Sequence, residues 1–392
     1  MYFSLNINKF SSLMNFTVKG DKLSDCLANL NSIVPSRSTL PLLGSIFFDL
    51  KGDELTLMAS DLEIFIRTKI EVTGKTDGTA AIPAKKLFDV SRTLPADELS
   101  MDINDKNRLT IKTKKGKYTM SGEPADEFPQ PEIAEEMKQI TFRGSGFKRC
   151  LSKVVHAANT EELKRNMMGI LMEVGSSEVK FVATDSYRLS RISRTDITIE
   201  GAREEKIVVP LKTAHLLVRL GVEDDTVMEY NERDLKISFG EYEIFSKLMG
   251  ETFPNYENVI PTNNDKLLKI NKHEFTESMN RALILANPNT KRVILEIASD
   301  NLTIKTDNPE VGSEGEEVLD CSFTSRTGND EIEGKTFVIA FNGEFIRDAL
   351  SQIETEIVEI SFGSPSKAAI AQPDKQADME VFTELIMPVR VG

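Results

Sequence analysis

At 392 residues, with 40% hydrophobic and 28% charged side chains, the chain is long enough for two or three domains with cores of their own and lies outside the compositions of disordered and fibrous proteins. No apolar run reaches the ~18 residues that a membrane-spanning helix needs. A formal net charge of −14 sets the chain as a whole against phosphate-rich partners, so any affinity for nucleic acid must come from a local concentration of Lys and Arg.

Residues 1–13 carry neither an early basic region nor a small-residue cleavage site, which argues against a signal peptide. They read as an extra amino-terminal segment, with Met14 an alternative start. Asn15-Phe16-Thr17-Val18-Lys19 then alternates as a short strand, and a helix-period segment follows around Cys26. A strand pair with an Asp at residue 61 comes next, and a second helix begins after Ile82-Pro83-Ala84-Lys85. Residues 123–131 hold three prolines, which fix φ and make an extended connector.

The same order then recurs twice. The opening strands return at Gln139-Ile140-Thr141-Phe142-Arg143 and Lys266-Leu267-Leu268-Lys269-Ile270, 124 and 128 positions on from their predecessors. Cys26 matches Cys150 and Phe147 matches Phe275 in the first helices. Asp61, Asp185 and Asp307 stand at matching places after a strand. The second helices follow Val209-Pro210-Leu211-Lys212 and Ile339-Ala340-Phe341-Asn342, and Phe-Pro opens a second connector over residues 253–262. Such spacing predicts an α+β chain of three tandem repeats of one unit, helices on one face of antiparallel sheets, with domains at 14–131, 132–262 and 263–392.

No catalytic constellation accompanies the repeat. Neither His156, His215 nor His273 has a ligand-like neighbour, and His215, matched to Phe88 and Phe345, reads as a helix-face packing position. The three Asp fall in different units, so each reads as a turn or strand-end residue and not as one of a converging acid pair. Cys26, Cys150 and Cys321 form no CxxC pair, and Cys26 and Cys150, at one repeat position, read as small core residues in a reducing cytoplasm. The six helix windows carry twelve Lys or Arg against six Asp or Glu, leaving −20 on the rest of the chain. A basic helical surface on an acidic body would draw a polyanion to one face; good helix formers on exposed faces would give the same count.

Pro35-Ser36-Arg37-Ser38-Thr39-Leu40-Pro41-Leu42-Leu43-Gly44, Ala183-Thr184-Asp185-Ser186-Tyr187-Arg188-Leu189, Phe253-Pro254-Asn255-Tyr256 with Pro261, and Met387-Pro388-Val389-Arg390-Val391 closely resemble the bacterial DNA polymerase sliding clamps, the beta subunit of the replicative DNA polymerase III holoenzyme. The resemblance covers residues 14–391. It implies a DNA clamp fold, a head-to-tail homodimeric ring around duplex DNA, no catalysis and no cofactor. It also implies a cytoplasmic, nucleoid-associated protein whose partners are double-stranded DNA, the polymerase catalytic subunit, the clamp loader complex, and other polymerases and repair proteins.

By that resemblance Arg37 touches DNA. The helix cations Lys85, Lys86, Arg92, Lys148, Arg149, Lys153, Lys212 and Arg219 would face phosphates without reading bases. The third unit departs, with Asn342 in place of Lys85 and Lys212 and with Glu344 and Asp348 entering its second helix. A partner-peptide pocket is implied at Met167, Thr184, Ser186, Tyr187, Arg188, Leu189, Pro254, Val259, Leu385, Met387, Pro388, Val389 and Arg390. Its Met, Val, Leu and Pro would accept an extended segment ending in hydrophobic side chains. Charge alone suggests a dimer seam. Lys112, Lys114, Lys115 and Lys117 would meet Glu310, Glu314, Glu316 and Glu317 of a second copy, although two solvated hairpins would look the same.

Overall fold

The computed structural model describes residues 12–132, 136–143, 146–201, 204–221, 225–326 and 334–391. Of the expected extra segment, residues 1–11 lie outside these. The first repeat runs β1 (Ser12–Lys19), α1 (Gly20–Leu30), β2 (Ser45–Lys51), β3 (Glu54–Ser60), β4 (Ile64–Glu71), β5 (Thr73–Thr76), β6 (Gly78–Pro83), α2 (Ala84–Ser91), β7 (Glu98–Asn104), β8 (Arg108–Lys112) and β9 (Lys117–Ser121). Strand β1 begins ahead of Met14 because Ser12 still pairs with Asn104, across an irregularity in register before Met14. Gly20 is obligatory where α1 starts: a Cβ there would lie 2.2 Å from the Pro95 carbonyl oxygen.

The second repeat follows as β10 (Lys138–Arg143), α3 (Phe147–Val154), β11 (Gly169–Val174), β12 (Val179–Thr184), β13 (Arg188–Arg194), β14 (Thr198–Gly201), β15 (Glu205–Pro210), α4 (Leu211–Leu220), β16 (Thr226–Tyr230), β17 (Asp234–Phe239) and β18 (Tyr242–Lys247). The third has β19 (Lys266–Asn271), α5 (Lys272–Leu285), β20 (Arg292–Ile297), β21 (Asn301–Asn308), β22 (Ser313–Ser325), β23 (Phe337–Asn342), α6 (Gly343–Gln352), β24 (Ile357–Phe362), β25 (Ala369–Pro373) and β26 (Glu380–Ile386). One long strand, β22, does the work that β4 and β5, or β13 and β14, share elsewhere.

Two compact units result. One holds the described residues up to 143 with 199–201 and 219–248, and the other holds most of the remainder. The first contains a sheet ordered β5-β1-β7-β8-β9 and a nine-stranded sheet ordered β14-β10-β16-β17-β18-β4-β3-β2-β6; the second contains the twelve-stranded sheet β15-β11-β12-β13-β26-β25-β24-β19-β22-β21-β20-β23. Period-two burial, as in β17 and β21, puts one face of each sheet into a core.

The repeats join by one rule. The last strand of a repeat pairs antiparallel with the fourth strand of the repeat before it: β18 with β4, and β26 with β13. Strand β9, the counterpart of β18 and β26, ends its sheet, and no described strand pairs with its other edge. Over residues 313–320, β22 pairs with β21 along one edge, and no described strand pairs with the other.

Hairpin register corrects two correspondences in the third repeat. Strand residues Ser45, Gly169 and Arg292 face Pro83, Pro210 and Asn342, so Asn342 stands in the place of the two prolines and Glu344 in that of Lys85 and Lys212. Asn342 is there as a helix cap, its side chain accepting from the Glu344 amide at 2.9 Å. Counting along the paired strands in the same way, Asn308 and not Asp307 matches Asp61 and Asp185.

Candidate client groove and basic helices

Strand β12 ends in a turn that its own side chains hold. Asp185 Oδ1 accepts from the amides of Tyr187 and Arg188 at 2.8 and 2.9 Å, while the Thr184 hydroxyl donates to the Arg188 carbonyl at 2.7 Å. Asp61 does the same for Glu63 and Ile64. Among the described residues Asp307 caps no turn amide; it pairs with Arg292 at 2.9 Å. Ser186 takes a left-handed φ of 81°, a conformation that a non-glycine residue adopts only under constraint.

Below the turn, Leu189 and Leu385 face each other across β13 and β26 and are buried in a cluster with Leu171, Val182, Phe253, Tyr256 and Ile370. The connector is pinned over this floor by Tyr256, whose hydroxyl donates to Glu173 at 2.7 Å. Burial, then the Glu173 carboxylate, raise the pKa of that phenol and keep it a donor. Around the floor stand apolar residues in water: Tyr187 at 58% exposure, Val259 at 54%, Met387 at 37% and Val389 at 39%. The Met387 amide donates to the Tyr187 carbonyl, and Val389 bridges to Ala340, so residues 387–391 run on past β26 as an extended rim. Met167 closes the other side, its sulfur 3.4 Å from the Ser186 hydroxyl. Arg188 is turned away from the opening. It is held by Asp185, by Asp348 at 2.7 Å and over the Phe345 ring at 4.6 Å. Asp348, one of the acids that set α6 apart, is therefore the anchor of this turn.

Of the helix cations, Lys85, Lys86, Arg92, Lys212 and Arg219 are exposed, as is Arg37 in its loop, and Lys148 is half-buried. Arg149 and Lys153 depart from the expected DNA-facing role. Arg149 forks onto both Glu380 and Glu354 at 2.7 to 2.9 Å. Lys153 is buried, bonded to the Gln352 carbonyl and to Glu354. Carboxylates far along the chain neutralise both charges, a pairing that helix periodicity alone does not reveal. His215 likewise departs from a packing role: α4 buries Thr213, Ala214, Leu216 and Leu217, and residue 215 falls on its exposed side.

The Arg149 guanidinium, followed by Lys153 and against some burial, lowers the Glu354 pKa from 4.5 to about 2. A depressed carboxylate pKa stabilises the fold above pH 4.5 and loses that contribution as pH falls toward 2. With 62% of the side chain exposed, screening limits the contribution to about 1 kcal/mol. Unfolding free energies of Glu354→Gln and the parent chain should differ by that amount at pH 6 and converge near pH 2; a gap that stays constant with pH would refute the assignment.

At the proposed seam, Lys117, Tyr118, Glu314 and Glu316 are exposed on the two open edges, Lys112 ends β8, and Lys115 and Glu310 are exposed in turns. Lys114 reaches Asp97 at 3.0 Å. Glu317 faces the other way. Alternation along β22 turns it to α5, where Arg281 and Ser278 hold it, each at 2.5 Å.

Family models described as the N-terminal, central and C-terminal domains of the DNA polymerase III beta subunit match residues 14–132, 141–255 and 257–390. The chain belongs to that family. It is 28% identical over 382 residues to the beta sliding clamp of Pseudomonas putida and 25% identical to that of Escherichia coli, covering 96% of this chain and all of each relative. The crystal structure of the Pseudomonas aeruginosa sliding clamp bound to griselimycin superposes with a TM-score of 0.86 at 26% identity, over 97% of this chain and all of that one. The three-domain clamp fold is thus established, and with it a non-catalytic processivity subunit. Among the described residues no group of three His, Cys, Asp or Glu gathers to hold a metal, and no helix is long and apolar enough to cross a membrane.

Sequence reasoning missed the residues that hold the groove in place: Lys164, Glu173, Phe345 and Asp348. The Phe253-Pro254-Asn255-Tyr256 motif marked the connector but gave no sign that Tyr256 would be tied to Glu173.

Proposed function

We propose that the chain encircles duplex DNA as a head-to-tail homodimer of clamp domains 14–131, 132–262 and 263–392. It tethers the replicative polymerase, the clamp loader and other DNA-processing proteins in the bacterial cytoplasm by short peptides bound at the groove. The observation that carries the reading is the joining rule of the repeats, left unsatisfied once at each end. Two copies would complete it, β9 of each on β22 of the other, so that the assembly closes instead of growing into a filament. In the register shared by the internal joints, Lys117 faces Glu316 and Tyr118 faces Gly315. Opposite charges then meet on one face, and an aromatic ring covers a glycine on the other.

Exposed Lys85, Lys86, Arg92, Lys212 and Arg219 support sequence-independent contact with phosphates. The apolar rim at Tyr187, Val259, Met387 and Val389 suits an extended peptide with hydrophobic side chains, while Thr184, Leu189 and Leu385 shape its floor. Burial raises the thiols of Cys26 and Cys150 to about 11 and about 12, which leaves them inert core residues.

Retention on DNA should be topological. Protein loaded on nicked circular DNA should survive a wash in ~1 M salt, where electrostatic contacts are screened within about 3 Å, and should be lost when the circle is cut. Loss in salt alone would mark an ordinary DNA binder and overturn the proposal.

A further inference from the structure

The turn after β12 is gripped from outside as well as from within. Lys164 lies in a short 3-10 segment, Glu162–Met167, whose backbone departs from helical geometry at Lys164 itself, with φ −119° and ψ 54°. Its ammonium sits 4.7 Å from the centre of the Tyr187 ring. The same nitrogen donates to the Asp185 carbonyl and to the Ser186 hydroxyl, each at 3.3 Å. One cation thus binds the backbone before the left-handed Ser186, the side chain of Ser186 and the aromatic face after it. Tyr187 is otherwise open to water over more than half its surface.

We infer that Lys164 is a positioning residue of the client groove: it fixes the Tyr187 ring at the mouth, with one face taken by the ammonium and the other open to an apolar side chain of the bound peptide. The inference rests on the groove reading above. A free tyrosine ring would have to be ordered each time a peptide bound, and ordering a side chain costs affinity. A ring already packed by a cation, itself tied by two hydrogen bonds to a constrained turn, has lost that freedom beforehand. Selectivity follows, because a fixed wall admits only side chains shaped to pack on it, whereas a mobile one adapts.

The test is a double-mutant cycle on the full-length protein, read by fluorescence anisotropy with a fluorescein-labelled extended peptide whose last two residues are large and apolar. Lys164→Met should weaken binding about three- to fivefold, the size of an exposed cation–π contact. Made in a Tyr187→Ala background, it should change nothing further. Lys164→Arg should bind within about twofold of the parent, since a guanidinium also seats on an aromatic face. In the free protein labelled with fluorotyrosine, the Tyr187 fluorine resonance should move in Lys164→Met, with the melting temperature unchanged. Equal losses in both backgrounds would overturn the inference, because Lys164 would then act on the peptide directly or through the fold. So would unchanged binding by Lys164→Met. Failure of the unmodified protein to bind the probe would overturn the groove reading itself, and it would be seen before any variant is compared.

Discussion

Arg149→Met should cost about 3 kcal/mol of stability in the unit that carries the groove, the lower end of the range for leaving a buried charge without its partner. The guanidinium makes two bonds to Glu380, at 2.7 and 2.9 Å, and two to Glu354, both at 2.8 Å. Glu354 is largely in water and would be rehydrated. Glu380 would not, because its side chain is only 5% exposed and its remaining cation, Arg194, stands 3.7 Å away and is already committed to Asp196. The cost therefore falls on one carboxylate. Calorimetry should show that unit's transition lowered by about 6–12 °C. Replacing both partners, Arg149→Met with Glu380→Gln, should recover more than half of the loss, since the double variant buries no uncompensated charge. The salt dependence of DNA binding should be unchanged. A shallower salt slope in Arg149→Met would instead return this residue to the DNA-facing set.

What was legible in the sequence was local or periodic. Strand alternation, the prolines of the connectors and a spacing near 125 residues are each visible within a short window or by comparing one window with another. The three repeats and their helices follow from those signals, whereas the groove residues of the turn and tail were implied only by the resemblance of their motifs to the clamp family. Partnerships across long separations do not. Arg149 meets acids 205 and 231 positions away, and from its own helix it looks like any exposed cation. The same blindness applies to Arg188 and Asp348, 160 positions apart, and to Glu317, whose side is fixed only once β22 is placed over α5. Correspondence in the third repeat differs by one at Asp307 and by two at Asn342 because strand pairing, which no short window shows, decides which residues are equivalent. Asp307 resembles Asp61, but the hairpin puts Asn308 in its place.

Lys117→Glu with Tyr118→Ser should turn the dimer into monomers at concentrations where the parent chain is fully paired, raising the dissociation constant about 100-fold or more. The magnitude follows from the register. Tyr118 would lie over Gly315, where a Cβ would come within 3.0 Å of Leu285, whose chain neighbour Ile284 is 80% exposed in the single chain. A tyrosine seated against such a patch at the middle of an interface is the kind of residue whose removal costs 2 kcal/mol or more. Lys117 adds a charge pair with Glu316 at the rim, worth less but reversible in sign. Both side chains stand in water on an edge strand, so the monomer should keep its circular dichroism and melting curve. Light scattering gives the mass directly. Glu316→Lys added to the Lys117→Glu single variant should restore the dimer, because the pair is then only exchanged. An unchanged dimer in the double variant, or a charge exchange that fails to restore one, would place the contact elsewhere. If the seam is here, the monomeric variant should also slip from nicked circular DNA before the circle is cut, since a broken ring has no topological hold.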